Sequence, residues 1–233
     1  MYVESLSSRI GRWLLPPVCL ICGQHARIGL DCCSGCEADL PVIDSLCLRC
    51  GLPLPAAARA CGRCTRRAPG FDRTWPAFVY AGALERLVHR FKFHRDLAAG
   101  RVLAGLTARR LAAMGAHRPQ ALVPVPLHWR RQLWRGFNQS RMLADDLSRQ
   151  LGGIPVAPML RRSRATPAQS GLPAARRGAN VRGAFRAHRP GCRLRHVALV
   201  DDVMTTGTTL DACARALKKA GVARVEVWVV ARA

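Results

Sequence analysis

HVALVDDVMTTGTTLDACARALKKAG, residues 196–221, decides how the rest of the chain is read. HVALV (196–200) is a continuous apolar run, the pattern of a strand buried on both faces, and it ends in the acidic pair Asp201 and Asp202. Residues 209–220 then place Leu210, Cys213, Ala214 and Leu217 on one helical face, with Gly221 as the C-terminal stop. Between strand and helix lie Thr205, Thr206, Gly207, Thr208 and Thr209. A helix N-terminus offers unpaired N–H groups and the positive end of the helix dipole, which together suit a phosphate. Gly207 allows close backbone approach, and the threonines add hydroxyl donors. The two carboxylates at the strand end can accept hydrogen bonds from a ribose diol, each contributing about 1.5–3 kcal/mol. For a lone acidic pair or a lone Thr-Gly-Thr, an ordinary strand–turn–helix junction with capping threonines would be the better reading. The ordered combination is more specific, and it is not a Walker loop, because GxxxxGK[ST] is absent.

Working outward, strands and helices alternate. AFVYAG (77–82) reads as a strand and turn, ALVPVPL (121–127) as a short buried strand closed by prolines, and RVEVWVVARA (224–233) as a last strand. Leu84, Leu87, Val88 and Phe91 recur at i, i+3, i+4, i+7, a second helix spans residues 96–114, and a third begins at Asn138 or Ser140 with Leu143, Leu147 and Leu151 as its stripe. The alternation predicts an α/β domain, a doubly wound parallel sheet, over residues 71–233.

Residues 1–70 are of another kind. Nine of the 11 cysteines lie between Cys19 and Cys64, and eight of them form four C-x2-C pairs: Cys19/Cys22, Cys33/Cys36, Cys47/Cys50 and Cys61/Cys64. Two such pairs give one Zn²⁺ a tetrahedral four-sulfur shell, so the array predicts two structural zincs. With no open coordination position, the metal stands in for a missing core rather than for catalysis. Equal spacing fits both a sequential and an interleaved combination of pairs. Cys32 reads either as an apolar filler beside Cys33 or as a competitor for the metal. Disulfides are disfavoured, because the first residues lack a secretory h-region and the chain is expected in the cytoplasm, with no membrane insertion.

The 233 residues carry Lys+Arg 37 against Asp+Glu 14, a formal charge of +23, and 49% apolar residues exclude bulk disorder. A surplus of this size attracts polyanions, while the preference for arginine over lysine fits either its bidentate match to phosphate or an arginine-biased genome, which does not account for the surplus itself. Between residues 147 and 200 there are 11 arginines and no acid, in a Gly/Pro/Ser-rich stretch that reads as a long mobile loop. Trp129 and Trp134 interleave with arginines, which fits either base stacking or core burial. Lys92 either reaches a phosphate or is solvated, and His89 and His94 read as surface or structural residues.

The 196–221 segment resembles the phosphoribosyl pyrophosphate (PRPP) motif of the type I phosphoribosyltransferases. Together with LVPVPLHWRRQLWRGFNQS (122–140), RATPAQSGLPAARRGANVRGAF (164–185) and the cysteine array, the chain is similar to the ComF family from about Leu15 onward. That resemblance implies a double zinc-ribbon domain (residues 1–70) before a type I phosphoribosyltransferase-like, PRPP-binding domain (residues 71–233). It makes Asp201 and Asp202 the residues that hold the ribose hydroxyls, and Thr205, Thr206, Gly207, Thr208 and Thr209 the 5-phosphate loop. It also makes Arg130, Arg131 and Arg135 partners of the pyrophosphate, and Thr166, Gln169, Arg177 and Asn180 part of a loop over the site. Mg²⁺ is expected with PRPP. The implied roles are natural transformation, DNA uptake or DNA utilisation, with single-stranded DNA and competence-machinery proteins such as the DNA-uptake helicase as partners. Three activities fit: a Mg²⁺-dependent phosphoribosyltransferase, a non-catalytic single-stranded-DNA-binding competence factor, and a zinc-ribbon adaptor using the α/β domain as scaffold.

Overall fold

The computed structural model describes residues 16–127, 136–163, 183–188 and 194–233. In chain order its elements are α1 (Ser34–Ala38), α2 (Gly62–Arg66), β1 (Arg73–Val79), α3 (Gly82–Phe93), α4 (Leu97–Ala113), β2 (Ala121–Pro124), α5 (Gln139–Gln150), β3 (Leu160–Arg162), β4 (Phe185–Ala187), β5 (His196–Met204), α6 (Thr208–Lys219) and β6 (Arg224–Arg232). β1, β6, β5 and β2 pair in that order, all in parallel, as the alternation of strands and helices predicts. Proline lacks the N–H a ladder needs, and Pro76 and Pro124 accordingly lie in the edge strands β1 and β2.

Side chains alternate across the central strands and divide the core in two. Ala198, Val200, Trp228 and Val230 pack with the apolar faces of α3, α4 and α5. Val197, Leu199, Val225, Val227 and Val229 pack with α6 and with β3 and β4. Both faces are therefore covered, which is why β5 and β6 read as unbroken apolar runs. On α3 the buried residues are Leu84, Leu87, Val88 and Phe91, the stripe seen in the sequence. Burying each contributes about 1.5–3 kcal/mol before entropy is counted. Asp96 and Asn138 cap α4 and α5, their side chains accepting from the N–H groups of Ala99 and of Ser140 and Arg141.

Three boundaries differ from the sequence reading. β1 starts at Arg73 rather than at residue 77, because residues 73–76 find partners along β6. β5 runs past Val200 to Met204, since β6 continues beside it as far as Arg232. The stretch read as one long loop contains the antiparallel pair β3–β4, with Met159, Leu160, Ala184 and Phe185 buried against α6.

The two cysteine groups dock on opposite faces of the sheet. Cys19, Cys32, Cys33 and Cys36 join the α3–α4–α5 side, where Leu30 lies over Gly105, Arg90 Nη1 donates to the Leu20 carbonyl at 3.0 Å and Arg109 pairs with Glu37 at 2.9 Å. Cys47, Cys50, Cys61 and Cys64 join the α6 side. There the Thr74 N–H donates to the Leu48 carbonyl at 3.1 Å and Thr74 Oγ1 donates to the Arg49 carbonyl at 2.8 Å. Among the described residues, no helix is long and apolar enough to cross a membrane.

Candidate functional site

Both cysteine groups have the geometry of a metal centre. The ligand atoms of Cys19, Cys22, Cys33 and Cys36 lie within 4.8 Å of one another, as do those of Cys47, Cys50, Cys61 and Cys64. A tetrahedron with Zn–S bonds of about 2.3 Å has edges of about 3.8 Å. Cys22 Sγ to Cys33 Sγ and Cys50 Sγ to Cys61 Sγ are both 3.8 Å, far beyond disulfide length. Backbone N–H groups point at the sulfurs, from Cys36 to Cys33 Sγ at 3.4 Å and from Cys61 to Cys47 Sγ at 3.1 Å. Such donors stabilise thiolate charge, so the donor sets fit structural zinc. The grouping is sequential, which decides between the two combinations the spacing left open. Cys32 stands outside the groups, fully buried, as the filler reading expects.

The second centre of interest is the carboxyl end of β5. Its strand continues through Asp201 and Asp202, so the pair sits within the last strand residues rather than beyond them. Asp201 is half-buried, and Asp202 is 6% exposed. Asp201 Oδ1 accepts from Ser140 Oγ at 2.8 Å and from the Asp202 N–H at 3.0 Å. Asp202 Oδ1 accepts from the Val203 N–H at 2.6 Å and pairs with Lys92 Nζ at 3.0 Å. Two carboxylates thus face one ammonium. Burial, then the charge of Asp202, pushes the Asp201 carboxyl up to about 7, with Lys92, Ser140 and the Asp202 N–H opposing the rise. For Lys92, burial works against the charge, but Asp202, helped by Asp201, outweighs it and lifts the pKa above its usual value.

Beside this acidic spot the backbone turns into α6. Gly207 is the N-cap residue with φ +74°, a left-handed conformation that favours glycine, and a Cβ there would meet the flexible end of the Met204 side chain. Thr206 Oγ1 and Thr208 Oγ1 are 2.8 Å apart and share a hydrogen bond. Thr205 is exposed, whereas Thr206, Gly207, Thr208 and Thr209 are half-buried, so the loop forms an open cradle one residue beyond Met204. The structure brings together, within one strand–loop–helix unit, acceptors suited to a diol and donors suited to a phosphate.

Two site residues escaped the sequence reading in their actual roles. Ser140 counted there only as a possible helix start, yet its hydroxyl serves Asp201. Lys92 is partly buried and pairs with Asp202, a partner that the sequence reading did not name. Arg130, Arg131 and Arg135 lie outside the described residues, as do Trp129, Trp134 and the loop residues Thr166, Gln169, Arg177 and Asn180.

Residues 10–65 match the double zinc ribbon domain, and residues 138–233 match the phosphoribosyl transferase domain. The chain is 37% identical over 226 residues to the DNA utilization protein YhgH of Escherichia coli (strain K12), covering 94% of this chain and 98% of that protein. It is 36% identical over 224 residues to Competence protein F of Haemophilus influenzae, covering 92% of this chain and 96% of that one. A similar relative is the DNA utilization protein YhgH of Salmonella typhimurium, 36% identical over 224 residues, with 94% of this chain and 98% of that protein covered. With likeness running through both the cysteine groups and the strand–loop–helix unit of β5 and α6, the chain belongs to the ComF family, whose members join a double zinc ribbon to a phosphoribosyltransferase domain.

Proposed function

We propose that this protein binds PRPP with Mg²⁺ in its α/β domain and acts in the cytoplasm in DNA uptake or DNA utilisation. One observation carries the PRPP reading: a carboxylate pair, which among the described residues faces one ammonium, that of Lys92, adjoins a helix N-terminal loop of threonines and glycine. A sugar phosphate answers both needs, because its hydroxyls donate to carboxylates and its phosphate accepts from N–H and O–H groups. In this reading Asp201 and Asp202 hold the ribose hydroxyls, Ser140 and Lys92 orient the two carboxylates, and the loop from Thr205 to Thr209 receives the 5-phosphate. Arg130, Arg131 and Arg135 follow β2 in the chain and would face the pyrophosphate.

The transfer such a site serves breaks the bond from C1 of PRPP to pyrophosphate and forms one from C1 to a nitrogen nucleophile. Pyrophosphate leaves with the electron pair of the C1–O bond and the nitrogen gives up its proton to water; Mg²⁺ bound with PRPP would supply charge neutralisation for the leaving group. The chain's own contribution is to fix the ribose from one side and the 5-phosphate from the other, so that C1 is held still. The test is a calorimetric titration of PRPP in millimolar Mg²⁺. Wild type should bind, and Asp201→Asn should bind more than about tenfold more weakly, since a neutral amide accepts less strongly than a carboxylate. Absence of binding by wild type refutes the reading.

A second reading rests on the net charge of +23 and on the printed names of the relatives, which concern DNA utilization and competence. In it, single-stranded DNA and a competence-machinery protein such as a DNA-uptake helicase are partners. Of the arginines in the acid-free stretch, Arg161 is exposed on β3, whereas Arg162 lies over the Phe185 ring at 5.5 Å. Six single-strand phosphate contacts would give a log–log salt slope of about −4. A shallow slope for wild type removes DNA as a ligand.

A further inference from the structure

The phosphate loop is fastened to the second zinc ribbon. Arg63, on α2 between the ligands Cys61 and Cys64, donates from Nη2 to the Thr206 carbonyl at 2.9 Å. Arg232, at the end of β6 and 3% exposed, donates from Nε to the carbonyl of the ligand Cys50 at 3.2 Å. It also donates from Nη1 to the carbonyl of Met204, the residue before the loop, at 3.0 Å. The chain leaving the ribbon is tied to α6, where the Gly70 N–H donates to Asp211 Oδ1 and Arg215 Nη2 donates to the Ala68 carbonyl at 3.1 Å.

The contact with Thr206 has a particular consequence. A trans peptide points its C=O and N–H in opposite directions, so whatever holds the Thr206 carbonyl also aims the Gly207 N–H. Glycine tolerates either sign of φ, and residue 207 sits at +74°. Local chain preference therefore does little to stop this peptide from flipping. A flip would turn a carbonyl oxygen, instead of an N–H, toward a bound phosphate. Arg63 is itself exposed and is not part of the buried ribbon core, so its side chain is spare for this purpose.

We propose that Arg63 is a positioning residue for the phosphate loop: from the second zinc ribbon it fixes the Thr206–Gly207 peptide with the Gly207 N–H directed at the 5-phosphate. The ribbon is then part of the binding site, and an intact Cys47/Cys50/Cys61/Cys64 group is a condition for tight phosphate binding. The inference rests on the PRPP reading for its ligand, but the anchoring can be read without any ligand.

The experiment uses the full, zinc-loaded chain and two measurements. Amide hydrogen exchange without ligand reads residues 207–211, where the Asp211 N–H donates to the Gly207 carbonyl at 2.8 Å. Calorimetry with PRPP in millimolar Mg²⁺ reads affinity. Arg63→Ala should speed exchange at these amides and weaken PRPP about tenfold, the loss of one charge-assisted hydrogen bond. Zinc content and melting temperature should stay at wild-type values. Arg63→Lys, which can still donate to the carbonyl, should recover most of both effects. Loss of charge alone would weaken PRPP without moving exchange, and that result overturns positioning. Unchanged exchange with unchanged affinity overturns it as well, and so does loss of zinc or of global stability in Arg63→Ala. If wild type fails to bind PRPP, the PRPP reading falls, while the exchange result still decides whether Arg63 anchors the loop.

Discussion

Replacing Asp201 with asparagine should make the protein more stable at alkaline pH, at the expense of the PRPP binding proposed above. Asparagine retains an oxygen that can accept from Ser140 Oγ and the Asp202 N–H, and it removes one of two adjacent carboxylate charges. The Asp201 carboxyl is pushed from an ordinary 3.8 up to about 7 by burial and by Asp202. A folded-state pKa above the unfolded one means that the native protein holds the proton longer. The associated stability is complete below about pH 4 and is lost as pH rises to about 7. At about 1.4 kcal/mol per unit, roughly three units set a ceiling of about 4 kcal/mol over the whole window. About half of the window lies above pH 5.5, so wild type should lose about 1–2 kcal/mol relative to Asp201→Asn between pH 5.5 and pH 8.5. Urea denaturation of both zinc-loaded proteins at several pH values measures this difference, and the pH dependence of the zinc thiolates cancels because it is common to both. A gap independent of pH would refute the reasoning, as would a wild type that gains on the variant toward pH 8.5.

Metal analysis should find two zincs per chain, one for each four-cysteine group, and a value near zero in a folded protein would remove the assignment. Because Cys47, Cys50, Cys61 and Cys64 share a core with β5, β6 and α6, chelation should also speed amide exchange in β1, whose Thr74 hydrogen-bonds to this ribbon. Gly207→Ala should cost about 1–2 kcal/mol from the left-handed backbone, with the end of the Met204 side chain moving aside, and should weaken PRPP where the loop relaxes from that conformation. A variant as stable as wild type would show that the loop can leave its φ of +74° without loss.

The parts of the fold carried by periodicity were legible in the sequence. The stripes of α3 and α6 and the apolar run of β5 are local patterns, each long enough to reveal its own geometry. The acidic pair and the threonine–glycine loop were legible because strand, carboxylates and helix start follow one another without interruption. β3 and β4 were not, since three residues apiece give no period and their pairing depends on a distant partner. The start of β1 was hidden for a similar reason: its first residues become strand only because β6 lies alongside. At the site, Lys92 meeting Asp202 and Ser140 meeting Asp201 join segments from different elements. No local pattern in the chain announces such pairs. The cysteine spacing showed two metal sites but not how the pairs combine, because equal intervals are neutral between the schemes until the chain is folded.

The sheet order also dictates a sequence of events during synthesis. β6 is the last strand in chain order, yet it lies between β1 and β5. A nascent chain can load zinc as soon as its cysteines leave the ribosome, but β1 has no neighbour to pair with until residues 224–232 emerge. Arg232, the end of that strand, also closes the contact between Cys50 and Met204. The early, cysteine-rich segment must therefore wait for β6 before the loop of residues 205–209 is seated against it. An interruption of translation after β1 but before residue 224 leaves a chain that can load zinc but whose β1 is unpaired, the kind of product that aggregates or is cleared by proteases.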